Sequence, residues 1–277
     1  MNNTAFIEAA LLEDIKDGDH STLACIPAHQ KGSAVLKIKE DGVLSGLEIA
    51  QEIFHFLDPN AMFEINKKSG DSILYGETAF IVHSNVHTIL KAERLALNCM
   101  QRMSGIATLT YQHVSKIQKY KSKILDTRKT TPLFRHFEKQ AVVNGGGWNH
   151  RFGLYDMIML KDNHIDYCGG ITAAINKTND YLNNNNLSLK IEVETRNLDE
   201  VAEVLAVGNV HRIMLDNFHP NDLSKAISLI NSKFETEASG GINLSNIEEY
   251  AATNVDYISI GALTHHAVSL DLSLKAL

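Results

Sequence analysis

The chain has 277 residues, the size of one large domain or two modest ones. Hydrophobic residues make up 44% and charged residues 21%, so the chain can bury a core and wholesale disorder is excluded. The formal net charge of −7 argues against a general nucleic-acid binder, which needs a positive surface. No stretch approaches the ~18–20 apolar residues of a membrane helix.

The cysteines and the N-terminus predict a soluble cytoplasmic enzyme. Cys25, Cys99 and Cys168 are odd in number, far apart and never in a CxxC motif, which argues against a disulfide framework or a zinc cluster. The first residues also lack the basic start and apolar run of a secretory signal.

The two halves of the chain show different patterns. Residues 1 to about 110 mix strand patterns (35–38 and 79–82) with helical ones (47–57 and 87–103) in no regular order. From residue 124 strands and helices alternate. The apolar runs are 123–126, 157–160, 189–193, 212–215, 236–238 and 257–260, and the helical segments are 134–143, 171–182, 198–207, 222–230 and 245–252.

Strands that are apolar throughout and alternate with helices predict a parallel sheet covered on both faces. Six such units fit either an open doubly wound sheet or a barrel with fewer than eight strands. The periodicity alone does not choose between them.

Each apolar run of this second half ends in charged or polar residues or in glycines. They are 126–129, 161–164, Glu192 with Glu194, Asp216-Asn217, Ser239-Gly240-Gly241, and Gly261 with Ala262. Ligands of parallel α/β folds bind beyond the carboxyl ends of the strands, so these residues are expected to converge. Six such ends together predict an active site rather than ordinary polar loops.

The charges near these strand ends indicate an anionic ligand. Residues 128–161 contain six Lys or Arg against two acids, a surplus of four in an acidic protein. For Arg135 and Lys139, which lie four residues apart, a solvent-exposed face of one helix is a sufficient explanation. It does not explain Arg128, Lys129 and Lys161, whose positions suit a small carboxylate- or phosphate-bearing ligand.

The remaining strand-end residues suggest further roles. Glu194 and Asp216 could hold Mg²⁺ or stabilise positive charge on a sugar, and the alternative is a structural ion pair with Arg128 or Lys161. The glycines of 239–241 and 261 could offer backbone N–H groups to a phosphate. Residues 145–147, three consecutive glycines, form either a hinge for loop closure or a plain turn.

Eight ordered motifs together resemble the quinolinate phosphoribosyltransferase family, also called nicotinate-nucleotide pyrophosphorylase (carboxylating). They are Glu93-Arg94 with Leu97-Asn98 and SGIAT (104–108), DTRKTTP (126–132), GGGWNHR (145–151), KDNHI (161–165), EVE (192–194), MLDNF (214–218), EASGGI (237–242) and SIGALTH (259–265). The resemblance extends over nearly the whole chain.

The resemblance implies an α/β fold with an incomplete (β/α) TIM-like barrel of about six strands and an N-terminal α/β open-faced sandwich. It places the sandwich at residues 1–112 and the barrel at 113–277, with a C-terminal helix that can pack back on the sandwich. It also implies a homodimer, or a higher oligomer, in which each active site is shared between two chains.

The family joins quinolinate to phosphoribosyl pyrophosphate, giving nicotinate mononucleotide, CO₂ and pyrophosphate in de novo NAD biosynthesis, with Mg²⁺ and no organic cofactor. Carried over by motif, the catalytic residues are Lys129, Lys161, Glu194 and Asp216. Glu194 and Asp216 also face the metal. Substrate contacts add Thr127, Arg128, His150, Arg151, Ser239, Gly240, Gly241, Gly261 and Ala262, and Arg94 is similar to an arginine supplied by the other chain.

The sequence departs from the family at one loop. The family usually reads TTPGLR, whereas here Thr131-Pro132 is followed by Leu133-Phe134-Arg135, so we expect a stiffer loop. Three alternatives remain: a molybdenum-transport paralogue of the same fold, a Schiff-base aldolase that uses Lys129 or Lys161, and a silent phosphate-sugar sensor. The intact Asn149-His150-Arg151 and the two carboxylates favour the phosphoribosyltransferase.

Overall fold

A computed structural model describes residues 2–277, which divide into two compact units. The sandwich unit comprises residues up to 111, 130–146 and 264–277, and the barrel unit comprises 112–129 and 147–263. The helices are α1 Asn3–Ile15, α2 His20–Cys25, α3 Leu47–Leu57, α4 Val86–Ile117, α5 Arg135–Asn144, α6 Asp162–Cys168, α7 Ile171–Asn184, α8 Leu198–Val207, α9 Pro220–Ile230, α10 Ile247–Ala251 and α11 Ala262–His265. The strands are β1 Lys31–Ile38, β2 Gly42–Val43, β3 Met62–Ile65, β4 Ser72–Ile73, β5 Thr78–Asn85, β6 Lys123–Leu125, β7 Ile158–Leu160, β8 Ile191–Thr195, β9 Arg212–Asp216, β10 Glu235–Ser239, β11 Tyr257–Ser259 and β12 Leu272–Ala276.

The sandwich unit contains an antiparallel sheet in the order β12-β1-β5-β3. The apolar residues of α3, among them the fully buried Ile53 and Phe54, contribute to its core together with Phe80 of β5. The C-terminal segment is the strand β12 and not the expected helix. Leu270, Leu272 and Leu274 are buried at every second residue, which is the period of a strand and not of a helix.

The barrel unit contains six parallel strands in the order β6-β11-β10-β9-β8-β7. From β7 to β11 consecutive strands are neighbours, and the first strand, β6, pairs with the last, β11. A doubly wound sheet would instead reverse its strand order in the middle. The observed order belongs to a barrel that is open between β6 and β7.

The contacts of His150 show how strongly this sheet curves. Trp148 forms a parallel bridge with Leu125, so this segment lies along the free edge of β6. Two residues later, His150 Nε2 is only 2.9 Å from a carboxylate oxygen of Glu192 in β8, which is four strands away along the sheet. Only a sheet rolled toward closure brings these groups together, and the prediction of an incomplete six-stranded barrel is confirmed.

In residues 2–277, no helix combines the length and the apolar character needed to cross a membrane.

Candidate active site

The strand register places the chemistry-bearing residues on one face of the barrel sheet. Met159 lies beside Glu192, Glu194 beside Met214, Asp216 beside Ser239, and Leu125 beside Ser259. Paired residues on neighbouring strands lie on the same face of the sheet, and side chains two positions apart along one strand also share a face. The face therefore carries, at its carboxyl end, Thr127, Lys161, Glu194, Asp216, Ser239 and Gly261.

Two arginines, Arg128 and Arg151, lie near each other at the carboxyl end of the barrel. Within the described part of the chain, not all of their N–H groups have a hydrogen-bond acceptor. Arg128 Nε is buried and has no hydrogen-bond acceptor among residues 2–277. Arg151 donates to the carbonyl of Met157 at 3.2 Å. Burial, and then the positive charge of Arg128, lower the pKa of Arg151 below its usual value. Two cations that repel each other in this way form a suitable site for an anion that contacts both.

His150 lies in the barrel interior and is almost fully buried. Its backbone N–H donates to the buried carboxylate of Asp126 at 2.8 Å, which fixes the turn before Arg151. Its Nε2 is 2.9 Å from Glu192 and 3.3 Å from Glu237, and both glutamates are completely buried. These two glutamates belong to different strands, so nothing in their spacing along the chain predicts a common cluster.

Burial and charge shift the pKa values of this cluster in different directions. Burial, and then the nearby Glu237, raise the pKa of Glu192 to about 7. Burial opposes ionisation of Glu237 as well, but His150 and Arg212 more than offset it and hold the Glu237 pKa well below its usual range. Arg212 donates to Glu237 at 2.8 Å. Glu237 is therefore the ionised carboxylate of the pair.

The contacts of the His150 ring indicate which of its nitrogens carries a proton. Burial lowers the pKa of His150, whereas the two carboxylates raise it, with a net value of about 9. However, Nδ1 accepts the backbone N–H of Arg151 at 2.6 Å, so a ring protonated on both nitrogens would direct two N–H groups at each other. The contact with Arg151 therefore places the ring proton on Nε2, which faces the two carboxylates.

The two carboxylates proposed for the sugar side each have one close partner. Lys161 donates to Glu194 Oε2 at 3.1 Å, which is one of the two ion pairs considered as the structural alternative for this residue. Asp216 Oδ2 accepts the side-chain amide of Asn217 at 2.6 Å. Lys161 and Glu194 thus lie together at the carboxyl end of the barrel, and Asn217 orients Asp216.

The glycines after β10 adopt a conformation that side chains rarely allow. Gly240 has φ +98° and Gly241 has φ +63°. A β-carbon at Gly240 would also overlap the side chain of Asn217, so glycine is required there for space as well as for backbone conformation. The open, small-residue turn fits the prediction of a backbone cradle for phosphate.

The glycines at 145–147 have a packing role at their first position. A β-carbon at Gly145 would overlap the backbone of Ala107 in α4, so its absence allows the end of α5 to pack closely on that helix. The structure supports the plain structural interpretation of Gly145 and not a hinge. Gly146, with φ +86°, continues the turn.

The loop after Lys129 contains an unusual backbone conformation. Phe134 N–H donates to Thr131 O at 3.1 Å, and Leu133, with φ +63°, occupies the third position of the turn behind Pro132. This arrangement is typical of a type II turn, which favours glycine there. Glu138 anchors the loop by accepting from Thr131 N–H at 3.0 Å and from the Arg102 guanidinium at 2.9 Å.

Arg94 belongs to the sandwich unit and not to the barrel unit. It is exposed on α4, and Asn98, one turn later, is exposed on the same side. Lys129 is exposed at the end of the barrel unit, next to Thr127, whose hydroxyl accepts its backbone N–H at 3.1 Å.

Four residues that position the site lie in the recognised motifs but receive no role of their own from the sequence: Asp126, Glu192, Asn217 and Glu237. Asp126 and Asn217 lie directly at strand ends, where their hydrogen-bonding capacity is a usable signal. Glu192 and Glu237 are acids inside strands whose other residues are buried, which is itself a mark of an internal polar cluster.

The chain matches two family models over most of its length. One, described as the N-terminal domain of quinolinate phosphoribosyl transferase, matches residues 19–104, and the other, the C-terminal domain, matches 106–275. The chain is 44% identical to quinolinate phosphoribosyltransferase [decarboxylating] 1b of Nicotiana tabacum, covering 97% of this chain and 81% of the relative.

Solved structures agree with this similarity. The crystal structure of NadC from Streptococcus pyogenes matches with a TM-score of 0.93 and 40% identity, covering 99% of this chain and 96% of that one. The nicotinate-nucleotide pyrophosphorylase from Francisella tularensis matches with a TM-score of 0.92 and 38% identity, covering 100% of this chain and 98% of that one.

Proposed function

Because the chain belongs to the quinolinate phosphoribosyltransferase family, we propose that it transfers the phosphoribosyl group of phosphoribosyl pyrophosphate to the ring nitrogen of quinolinate. The products are nicotinate mononucleotide, CO₂ and pyrophosphate, in NAD biosynthesis. The observation that carries this proposal is the pair of close guanidinium groups, Arg128 and Arg151, with a buried donor that has no acceptor among the described residues. A dicarboxylate supplies the negative charges that this pair lacks.

The cations bind and orient quinolinate. Arg128 and Arg151 would share its two adjacent carboxylates, and Lys129 would add a third positive charge from the loop that follows β6. His150, fixed by Asp126, contributes the wall of the pocket through its buried ring. Holding the ring nitrogen beside the ribose converts an encounter of two molecules into a reaction within one complex.

The carboxylates act on the sugar. As pyrophosphate leaves, the ribose develops positive charge, which Glu194 and Asp216 would stabilise from the barrel face. Lys161, 3.1 Å from Glu194, can turn from that carboxylate to the departing phosphate or to the substrate. The turn at Ser239, Gly240 and Gly241, with Gly261 and Ala262, would hold the phosphate through backbone N–H groups.

Magnesium fits the oxygen donors of this end of the barrel. Mg²⁺ is commonly bound by one or two carboxylates together with substrate phosphates, and Glu194 and Asp216 offer carboxylates on adjacent strands. The ion would neutralise charge on the pyrophosphate group. Within the described residues the cluster that offers three ligand atoms is His150, Glu192 and Glu237, but Arg212 already donates to Glu237, so that cluster suits a cation poorly.

Loss of CO₂ follows ribosylation. The carboxylate at ring carbon 2 leaves as CO₂, and its electron pair stays on that carbon, beside a ring nitrogen that ribosylation has made cationic. The substrate therefore stabilises the carbanion itself, and a proton then replaces the carboxylate. The protein mainly orients the ring and excludes water.

We also propose a homodimer with shared active sites, in which Arg94 reaches the partner's substrate. Its exposed position on α4 leaves it available for such a contact. Three free cysteines support a reducing compartment such as the cytosol. The net charge of −7 supports small-molecule substrates and not a nucleic acid.

The test is the formation of nicotinate mononucleotide from quinolinate and phosphoribosyl pyrophosphate with and without Mg²⁺. We expect turnover that requires the metal, and we expect Glu194→Ala and Asp216→Ala to lower kcat far more than they weaken quinolinate binding. A chain that binds phosphoribosyl pyrophosphate but does not turn over would be the silent sensor. Trapping of an aldehyde on Lys129 or Lys161 by borohydride would indicate the aldolase.

A further inference from the structure

A cavity lined by several lysines lies at the amino ends of the barrel strands. Its volume is about 620 Å³, and its wall includes Lys121, Lys123, Lys190, Lys233, Phe234 and Tyr257. Lys123 and Tyr257 begin β6 and β11, and Lys190 immediately precedes β8. The candidate active site lies at the carboxyl ends of the same strands, so the two sites are at opposite ends of the barrel.

The charges of this cavity are unbalanced. Its two acids already have partners: Asp256 pairs with Lys121 at 2.8 Å, and Glu235 pairs with Arg212 at 3.1 Å. Lys190, Lys233 and Lys123 have no carboxylate within 4 Å in residues 2–277. Three ammonium groups without a carboxylate partner in the described chain thus surround one cavity in a protein whose net charge is −7.

Aromatic rings lie next to these charges. Lys123 Nζ is 4.1 Å from the centroid of the Trp148 ring, and Arg212 lies 4.0 Å from that of Tyr257. Phe234 and Tyr257, each partly exposed, give the wall a flat apolar component. The combination suits a ligand with a phosphate end and a planar end, and the volume is within the ~300–1,000 Å³ of small-molecule sites.

We propose that this cavity binds a small phosphorylated anion, of the size of a nucleotide, at a site separate from the active site. The lysines come from different segments of the chain, at the start of β6, before β8 and after α9, and they converge because the strand starts meet at one end of the barrel. Bound phosphate would remove their mutual repulsion and form charge-assisted hydrogen bonds with them. The proposal does not depend on the reaction that the other end catalyses.

The test is isothermal titration calorimetry with ATP as the probe on four chains. They are the wild type, Lys161→Ala to impair the active site, Lys190→Ala with Lys233→Ala to impair the cavity, and Lys177→Ala with Lys225→Ala as a control with the same change of charge. Lys177 and Lys225 are exposed lysines on α7 and α9 outside the cavity. The cavity double variant should keep its catalytic activity.

We expect the wild type, Lys161→Ala and the control to bind ATP at a common site, and the cavity double variant to bind there about tenfold or more weakly. Adenosine should not bind measurably, since it lacks the phosphates. Absence of ATP binding by the wild type, equal binding by all four chains, loss of that binding in Lys161→Ala, or equal binding of adenosine would overturn the proposal.

Discussion

At the scale of single residues, the arrangement of Arg128 and Arg151 predicts that the candidate site selects a ligand with two carboxylates. The guanidinium groups lie close enough for the charge of Arg128 to lower the pKa of Arg151, and one buried donor has no acceptor within the described chain. A ligand with one carboxylate leaves part of this charge uncompensated. Since an unpaired buried charge costs several kcal/mol, the second carboxylate should decide recognition.

The first prediction is therefore that nicotinate, which lacks one carboxylate, has a kcat/KM at least ~10²-fold below that of quinolinate. Arg151→Ala should weaken quinolinate binding and reduce this preference. Steady-state kinetics with both acids measures it. Similar kcat/KM values for the two acids in the wild type would contradict the assignment of these cations to quinolinate.

The interior cluster carries a second prediction, on stability. The pKa of Glu192 is about 7 in the folded chain against an ordinary value of 4.5, so the folded state binds this proton more tightly than the unfolded state does. The contribution of this proton to the free energy of unfolding is fully present below pH 4.5 and is lost as the pH rises through 7. The neutral amide of a Glu192→Gln variant would mimic the protonated acid at every pH.

We thus expect Glu192→Gln to become more stable relative to the wild type between pH 4.5 and 7, by about 1 kcal/mol or more, and to keep that advantage above pH 7. Urea unfolding across this range measures it. Glu237→Gln is the contrasting variant and should destabilise by ~3 kcal/mol at neutral pH, because Arg212 loses a buried carboxylate. A pH-independent difference for Glu192→Gln would show that this carboxyl is ionised throughout.

At the scale of elements, the loop that departs from the family is strained in this chain. Leu133 has φ +63° in a turn that favours glycine, and 73% of the side chain is exposed, so little burial compensates. A left-handed conformation costs a residue with a β-carbon ~1–2 kcal/mol. The contacts of Thr131 with Glu138 hold the turn in place despite this cost.

Leu133→Gly should therefore raise the free energy of unfolding by up to ~1 kcal/mol, the relief of strain being partly offset by the greater freedom of glycine in the unfolded chain. Leu154→Gly is a matched control, because Leu154 is 70% exposed and does not have a positive φ. It should be neutral or destabilising. Thermal unfolding of the three chains measures the effect, and equal loss of stability in both variants would mean that Leu133 is not strained.

At the scale of the whole molecule, the proposed dimer divides each active site between two chains. Arg94 belongs to the sandwich unit, and Lys161 belongs to the barrel unit. If a site combines Arg94 of one chain with Lys161 of the other, variants of these two residues can complement each other.

Arg94→Ala and Lys161→Ala should each be nearly inactive alone, and their mixture should regain about a quarter of wild-type activity. Random mixing gives half heterodimers, each with one intact site of two. Activity of the remixed chains, with heterodimers confirmed by mass spectrometry, measures this. Heterodimers without recovered activity would place Arg94 in the site of its own chain or on the surface.

The sequence by itself determined the alternating elements of the barrel half and the family. The regular apolar spacing predicts the helix at 47–57 with the bounds that the structure has. The six runs after residue 123 were predicted as parallel strands, because buried parallel strands are apolar throughout. The motifs at their ends predicted the site residues, since a local motif carries its chemistry in the order of the chain.

Only the tertiary structure decided the closure of the sheet and the groups inside it. The pairing of β6 with β11 joins residues more than 130 positions apart, and no local pattern records which strands become neighbours. The same closure brings His150 to Glu192 and Glu237, whose pKa values depend on distances across the barrel. The C-terminal strand β12 likewise depends on its pairing with β1, because a short alternating segment becomes a strand only where an edge is available to bond it.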